Sequence, residues 1–344
     1  MTNDLALPDP AGLIPSGLTR LAHLGSAADR IAAQSVFEDY RGRQAKHTVR
    51  RHDGDLRLFA EYLAAAGGAM ESNELSSSPE AWRGVTWGLV EGFVRWQLQQ
   101  GYAVGSVNVR LSTVKLYCQL AMKAGAISPE ACALIRAVSG YSQTEGKRVD
   151  EKRETTRRGE KKPQAVSITK EQAGALKAQP DTPQGRRDGL LMCLLLDHGL
   201  RVSEVAALTV EGFDLKAGTL AFYRQKVSKT QTHTLTAESL RAAIAYLQQD
   251  AAEHGPLLRG SRKGGKLEGS MGTRRITERV KVLGERIGIA GLSPHDCRHY
   301  WATAATRGGT HPFALQEAGG WNSLAMPRRY TEAAKIANEG VKLD

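Results

Sequence analysis

Hydrophobic residues recur at helical spacing through the first part of the chain. The segment Thr48–Ala65 places Leu56, Phe59 and Leu63 three or four residues apart, and Trp82–Gln99 follows the same period. Further core candidates, in Trp82–Gln99 and in a third predicted helix after Ser106, are Trp87, Phe93, Val94, Trp96, Leu98, Val109, Val114, Leu116, Tyr117 and Leu120. We therefore predict a helical domain over residues 28–140. Residues 1–27, rich in Gly, Pro, Ala and Leu, are predicted to form a loosely ordered arm before it.

A strongly polar run separates this domain from the rest of the chain. Residues 141–165 contain eight Lys or Arg and five Asp or Glu, with almost no apolar residue. Such a segment cannot bury a core, so it is interpreted as an exposed linker between two domains.

Residues 166–335 are predicted to form a second domain of mixed structure. Thr169 and Gln172 make a capping box for a helix that starts at Lys170, and residues 185–198 form an apolar helix that Gly199 ends. Two short alternating segments, Thr219–Gln225 and His233–Thr236, indicate strands separated by a polar turn. Helices are predicted from there on, followed by a tail at 336–344. The fold class is thus mainly α with a small antiparallel β-sheet.

The charge of the chain adds a candidate partner. A formal net charge of +11 favours a polyanion such as nucleic acid. Four basic residues on the polar helix faces of the first domain are expected to contact either solvent or DNA phosphate, namely Arg50, Arg51, Arg110 and Lys115. The charged linker could also lie along a DNA backbone.

Cysteine usage and hydropathy restrict the compartment. The four cysteines, Cys118, Cys132, Cys193 and Cys297, are far apart and show no CxxC spacing, which argues against a disulfide framework or a zinc ribbon and fits a reducing cytoplasm. The first ten residues lack the basic and apolar regions of a signal peptide. The longest apolar run, about residues 189–196, is far shorter than the roughly 20 residues of a membrane span, so no membrane partner is expected.

Two arginines stand in contexts that suggest chemistry. Arg201 follows the apolar helix in the string GLRVSE, and Glu204 three residues later could hold its guanidinium in place. Ser293 starts a second helix, in which His295 and Arg298 share one face near the positive N-terminus, where phosphate binds well. Taken alone, the Arg201–Glu204 pair is better interpreted as an ordinary surface ion pair, which contributes little.

The sequence argues against a metal site at the same helix. His295, Cys297 and His299 alternate along the sequence, a spacing that we expect to place them on different helical faces. Trp321 and Tyr330, nine residues apart in a later segment, complete the set of candidate residues.

Taken together, these residues resemble the tyrosine recombinase family, which includes phage integrases, Xer proteins and Cre. The resemblance consists of an arginine in a GLRxSE context, a lysine in a hairpin turn, HxxR at a helix start, and then Trp and Tyr. It covers the second domain nearly end to end. It implies a helical core-binding domain and an α+β catalytic domain that together form a C-shaped clamp on double-stranded DNA.

The resemblance also implies roles for individual residues. Arg201 and Arg298 would bind the non-bridging phosphate oxygens, His295 would be the general base or a further phosphate donor, and Tyr330 would be the nucleophile. Trp321 occupies a position that is usually His or Trp and would supply one N–H donor. A hairpin lysine would protonate the leaving 5′-hydroxyl; Lys229 is preferred from its Lys-Thr context, whereas spacing from Arg201 slightly favours Lys226, so both stay open.

The implied reaction is site-specific DNA cleavage and rejoining through a 3′-phosphotyrosine bond. It would need no ATP, no other cofactor and no metal, and in the family it uses four protomers on two DNA sites. A cytoplasmic, nucleoid-associated location is expected. Two alternatives stay open at this point: a non-catalytic DNA-binding relative, and a type IB topoisomerase that relaxes DNA by similar chemistry.

Overall fold

The computed structural model describes residues 17–68, 70–152, 158, 166–262 and 265–334, and it divides into two compact units. Unit 1 comprises residues 1–161 and unit 2 comprises residues 162–344. The first 16 residues of the predicted arm, most of the second half of the predicted linker and the predicted tail at 336–344 lie outside the described residues.

Unit 1 is helical, as the hydrophobic pattern predicts. Its helices are α1 (Gly17–Gly42), α2 (Lys46–Ala65), α3 (Ser72–Ser77), α4 (Trp87–Gln99), α5 (Val104–Lys123), α6 (Pro129–Ala137) and α7 (Gln143–Glu151), with a 3-10 turn at Pro79–Trp82. Two of them change the predicted boundaries: α1 starts inside the predicted arm, and α7 lies inside the predicted linker. A capping box between Ser142 and Glu145 starts α7, which explains how a segment with so little apolar surface forms a helix.

Aromatic rings fill the core of unit 1. Phe59 lies 5.7 Å from Trp82 and 5.0 Å from Phe93, and Trp82 stacks on Tyr117 at 6.0 Å, measured between ring centroids. Two predicted core residues are exposed instead, because Trp87 is the first residue of α4 and Val109 lies on the outer face of α5.

Unit 2 combines helices with two small sheets. Its elements are α8 (Lys170–Lys177), α9 (Pro183–Leu196), α10 (Val202–Ala207), β1 (Phe213–Asp214), β2 (Thr219–Arg224), β3 (Lys229–Thr234), α11 (Ala237–Gln249), β4 (Arg259–Ser261), β5 (Leu267–Ser270), α12 (Thr273–Arg286), α13 (Pro294–Arg307), α14 (Pro312–Gly319) and α15 (Ala325–Ala334). The apolar helix α9 is buried along most of its length and packs against α8, α11 and α13. Most of the elements that carry the candidate residues therefore surround one hydrophobic core.

Both sheets are antiparallel, and both differ from the prediction. The first has the order β1-β2-β3 and pairs Arg224 with Lys229, so β3 starts four residues before the predicted strand. The prediction placed this stretch in the turn because β3 is almost entirely polar. The second sheet pairs β4 with β5, where only helices were predicted. Its strands of three and four residues are too short to show an alternating pattern.

Candidate functional site

Arg201 lies at the junction between α9 and α10. α9 ends at Leu196, two residues before the predicted end, and Gly199 then turns the chain with a φ of 58°, so that Arg201 is the N-cap of α10. Glu204 accepts hydrogen bonds from the backbone N–H of Arg201 at 2.8 Å and from its guanidinium at 2.7 Å. Glu204 is buried, so the predicted Arg201–Glu204 pair is a positioned contact and not a surface ion pair.

Arg298 is buried on the first turns of α13. A capping box between Ser293 and Asp296 fixes the start of this helix, as the sequence predicts. The Arg298 guanidinium donates to the carbonyl of Gly199 and to the carbonyl of Gly319, and it lies 4.6 Å from the centroid of the Trp321 ring. Arg298 thereby connects the end of α9 to the end of α14.

A third arginine, Arg224, was missed by the sequence analysis. It is fully buried at the end of β2 and donates to the carbonyls of Gly319 and Ala318, both at 2.7 Å. Its Nη1 also lies 3.5 Å from the Glu204 carboxylate. The signal was present in the sequence, because Leu220, Phe222 and Arg224 alternate on the buried face of the strand.

The three arginines, hereafter the arginine cluster, donate to adjacent carbonyls of one turn. The guanidinium of Arg201 donates to the carbonyl of Gly320 at 2.9 Å, next to the carbonyls that bind Arg224 and Arg298. These carbonyls of residues 318–320, hereafter the carbonyl turn, form the C-terminal end of α14, where the helix dipole is negative. The end of α14 therefore fixes all three side chains at once.

Glycine is required in the carbonyl turn. Gly320 is left-handed, with φ 57° and ψ 55°, and a Cβ there would lie 2.6 Å from Cδ and Nη1 of Arg224. A Cβ on Gly319 would lie 2.3 Å from the ring of Trp321. Both positions therefore exclude any larger residue without movement of the site.

The arginine cluster concentrates positive charge. Burial lowers the pKa of Arg298 to about 9, an effect that the nearby Arg201 reinforces and Glu204 opposes. Burial likewise lowers the pKa of Arg224 to about 10. Both remain charged at neutral pH, so three guanidinium groups face one carboxylate. The excess of positive charge suits a bound phosphodiester.

Tyr330 lies beside this cluster on α15. It is 3% exposed, its ring lies 5.8 Å from Trp321 and 5.2 Å from His299, and its buried hydroxyl has no hydrogen-bond partner among the described residues. Burial raises the pKa of Tyr330, while the positive charges of Arg298 and Arg329 oppose the increase. The structure thus brings the predicted nucleophile next to the predicted phosphate site.

His295 and His299 contact each other on α13. Their Nε2 atoms are 3.1 Å apart and their ring centroids 4.6 Å apart. The expectation that His295, Cys297 and His299 lie on different faces is wrong for the two histidines, because residues four apart share a helical face. Cys297 is buried and does point elsewhere. Within the described part of the chain, no group of three His, Cys, Asp or Glu side chains is arranged to hold a metal ion.

The two candidate lysines have different surroundings. Lys229 is the first residue of β3, and its Nζ lies 3.3 Å from the Glu317 carboxylate. Lys226 lies in the turn before it, close enough to His295 for its charge to help lower the pKa of that histidine, after the larger effect of burial. Lys226 is therefore a candidate lysine whose charge acts on His295.

Most of the basic residues predicted to bind DNA in unit 1 have internal partners. Arg51 donates to Asp55 at 2.9 Å, and Arg110 lies 4.2 Å from the centroid of the Tyr102 ring. Lys115 donates to backbone carbonyls at the end of α6, including that of Arg136 at 2.8 Å. Arg50, by contrast, is exposed. These contacts assign at least Lys115 a structural role in capping α6.

Comparisons with known proteins identify the family. Residues 167–336 match the phage integrase family. The tyrosine recombinase XerD of Xanthomonas axonopodis pv. citri (strain 306) is 28% identical over 306 residues, which cover 85% of this chain and 88% of XerD. XerC of Pelobacter propionicus is 27% identical, over 84% of this chain and 85% of XerC.

Solved structures show the same fold. A lambda integrase dimer bound to a COC′ core site has a TM-score of 0.59 at 12% identity, covering 90% of this chain and 99% of that one. The Tn1549 transposon integrase in complex with a circular intermediate DNA has a TM-score of 0.53 at 14% identity, covering 80% of this chain and 94% of that one.

Neither alternative, the non-catalytic binder or the topoisomerase, gains support from the family match and the Xer relatives. Residues 167–336 thus form a phage integrase family domain, and the chain belongs to the tyrosine recombinases, which are site-specific DNA recombinase enzymes.

Proposed function

We propose that Tyr330 cleaves DNA by attacking a phosphodiester that Arg201 and Arg298 hold. The observation that carries this proposal is the convergence of the arginine cluster on the carbonyl turn, next to the buried Tyr330 hydroxyl. Attack at phosphorus builds negative charge on the non-bridging oxygens, and preorganised guanidinium groups stabilise that charge. Loss of one such donor costs about 100-fold or more in rate.

DNA cleavage by Tyr330 is a transesterification. The Tyr330 hydroxyl loses its proton to His295, its oxygen bonds to phosphorus, and the bond between phosphorus and the 5′-oxygen breaks. The 5′-oxygen takes a proton from a lysine and leaves as a hydroxyl. The products are a 3′-phosphotyrosine bond and a free 5′-hydroxyl, and attack by the 5′-hydroxyl of a partner duplex reverses the step with exchange of strands.

We assign the leaving-group proton to Lys226. Its position in the hairpin turn and its electrostatic interaction with His295 support this choice, whereas Lys229 already contacts Glu317. This reverses the preference drawn from the Lys-Thr context. Glu204 acts as a positioning residue for Arg201, and Trp321 packs between the Arg298 guanidinium and the Tyr330 ring.

Assembly on DNA and a cytoplasmic location are expected for the same reaction. DNA is the partner, and the relative in the lambda integrase structure is a dimer on its core site. We propose that this chain likewise assembles on DNA, as a tetramer on two sites, with unit 1 contacting the duplex through exposed basic residues such as Arg50. The reaction would take place in the cytoplasm, at the nucleoid. No helix among the described residues is long and apolar enough to cross a membrane.

The test uses supercoiled plasmids that carry genomic fragments flanking the gene. Covalent protein–DNA adducts are trapped in detergent, and the attached DNA is sequenced. We expect recombinant junctions with the wild-type chain, and DNA binding without adduct for Tyr330→Phe. An adduct that survives in that variant would remove Tyr330 from its role, relaxation alone would favour a topoisomerase, and a mobility shift alone would favour a binder.

The lysine assignment is tested on a site recovered in this way. The 5′-oxygen at the cleavage point is replaced by sulfur, which leaves without a proton. Lys226→Ala is expected to cleave the normal substrate slowly and the sulfur substrate at nearly the wild-type rate. Lys229→Ala, the matched control, is expected to cleave both nearly normally; the reverse pattern would return the role to Lys229.

A further inference from the structure

His299 has no role in the reaction described above, yet it lies between two residues that do. It is half-buried on α13, one helical turn after His295. Its Nε2 lies 3.1 Å from the Nε2 of His295, and its ring meets that of Tyr330 edge-on, with centroids 5.2 Å apart. The nucleophile, His299 and His295 therefore form a continuous row.

The contact between the two Nε2 atoms couples the protonation of the two rings. A neutral imidazole carries one N–H, and at this distance only one proton can lie between the rings. One ring must donate and the other accept, so the tautomer of each histidine depends on the other. A proton added to one ring is stabilised by the lone pair of its neighbour, since a charge-assisted hydrogen bond is stronger than a neutral one.

Most of the charges around this pair oppose its protonation, so that the pair stays neutral and available as a base. On α13, Asp296 and Arg298 act on both histidines, and on α15 Arg329 faces them beside Tyr330. Lys226 acts on His295 from the hairpin turn.

The pair is therefore neutral in the resting site. Burial lowers the pKa of His299, and His295 lowers it further, because a proton on one ring repels a second proton on the other. Burial also lowers the pKa of His295. Neutral imidazoles are the form that a general base requires.

We propose that His299 is a positioning residue for DNA cleavage, binding His295 through Nε2 so that the two imidazoles together hold the proton released by Tyr330. The bond between oxygen and hydrogen of Tyr330 breaks, the proton bonds to a ring nitrogen of His295, and the hydrogen-bonded pair changes from neutral to singly positive. The same proton returns to the tyrosine oxygen when a 5′-hydroxyl displaces it. This inference rests on the proposed roles of Tyr330 and His295.

The experiment measures single-turnover formation of the covalent adduct as a function of pH. His299→Leu keeps an apolar side chain but removes the hydrogen bond, so we expect a loss of about 10- to 100-fold, a part of the contribution of a general base. We also expect the acid limb of the pH profile to move to lower pH, because His295 alone is a weaker base. His299→Gln keeps a hydrogen-bonding group near the Nε2 position and is expected to recover most of the rate, still with a shifted limb.

The controls separate this proposal from its alternatives. His254→Leu makes the same change at an exposed histidine and is expected to alter neither rate nor pH profile. A purely structural role for His299 would lower the amount of active protein and leave the acid limb in place, which would overturn the proposal. If His299→Leu does not fold, the acid limb of the pH profile of His299→Gln distinguishes the two roles. An adduct in Tyr330→Phe would instead overturn the proposed function.

Discussion

Substitution of Gly320 by alanine tests whether the carbonyl turn fixes the arginine cluster. The backbone at Gly320 is left-handed, a conformation that costs a residue with a side chain about 1–2 kcal/mol. The new Cβ would also lie 2.6 Å from Cδ and Nη1 of Arg224, which is fully buried and cannot move into solvent. The guanidinium must therefore leave its acceptors.

The expected loss of unfolding free energy has two parts, the backbone strain at residue 320 and the displacement of the Arg224 guanidinium. Arg224 donates two hydrogen bonds to the carbonyl turn, and hydrogen bonds of a charged group contribute about 1.5–3 kcal/mol each. With partial relaxation, we expect an extra loss of about 2–4 kcal/mol beyond the backbone strain. At about 2–4 °C per kcal/mol, that extra loss lowers the melting temperature by roughly 5–15 °C.

The matched control is Gly288→Ala. Gly288 is also left-handed, with φ 79°, but a Cβ there meets no atom within 4 Å, so it measures the backbone strain alone. Calorimetry of the full chain gives both melting temperatures, and single-turnover adduct formation gives the activities. We expect Gly320→Ala to lose cleavage by about 100-fold, because displaced guanidinium groups no longer meet the phosphate. Equal melting temperatures for the two variants, with cleavage retained in Gly320→Ala, would show that the carbonyl turn does not fix the arginine cluster.

Two further predictions concern buried ionisable groups. Glu204→Gln keeps the shape of the side chain but removes the charge that faces Arg201 and Arg224. We therefore expect adduct formation to fall by about tenfold or more, while DNA binding in a mobility-shift assay is unchanged. An unaltered rate would show that the carboxylate does not position the arginines. Burial, reinforced by the nearby Arg224, lowers the pKa of His233 to about 4, so this ring stays neutral in the folded chain while the unfolded chain takes up a proton near pH 6.5. Stability from His233 is therefore complete above pH 6.5 and is lost as the pH falls toward 4, by about 2 kcal/mol for a partly exposed ring. Denaturant titrations at pH 7 and pH 4.5 are expected to show a smaller difference for His233→Gln than for the wild-type chain, and equal differences would contradict the assignment.

The sequence predicts the long elements well because their burial repeats along the chain. The helices around Phe59 and Phe93 follow from a period of 3.6 residues, and α9 follows from a continuous apolar run. The hairpin of β4 and β5 was missed because its strands are too short to show a period. The predicted strand corresponding to β3 was too short for a related reason. β3 is polar, and its partner β2 supplies the apolar face of the pair.

The site was predictable where order and spacing along the chain carry the information. The structure brings together Arg201, His295, Arg298, Trp321 and Tyr330, which the resemblance singled out. The contact between His299 and His295 was not predicted, because the alternation of His295, Cys297 and His299 along the sequence obscures that residues four apart share a helical face. The role of Lys115 could not be predicted, since only the folded chain places the end of α6 against it.

The carbonyl turn also determines how the enzyme responds to salt. Dissolved ions screen exposed charges, and DNA binding weakens as salt rises because phosphate contacts release counterions. Arg224 and Arg298 are instead neutralised in part by peptide dipoles that cannot diffuse away. Because these dipoles are part of the chain, we expect salt to change how often the enzyme captures DNA and to leave the rate of cleavage of captured DNA nearly constant.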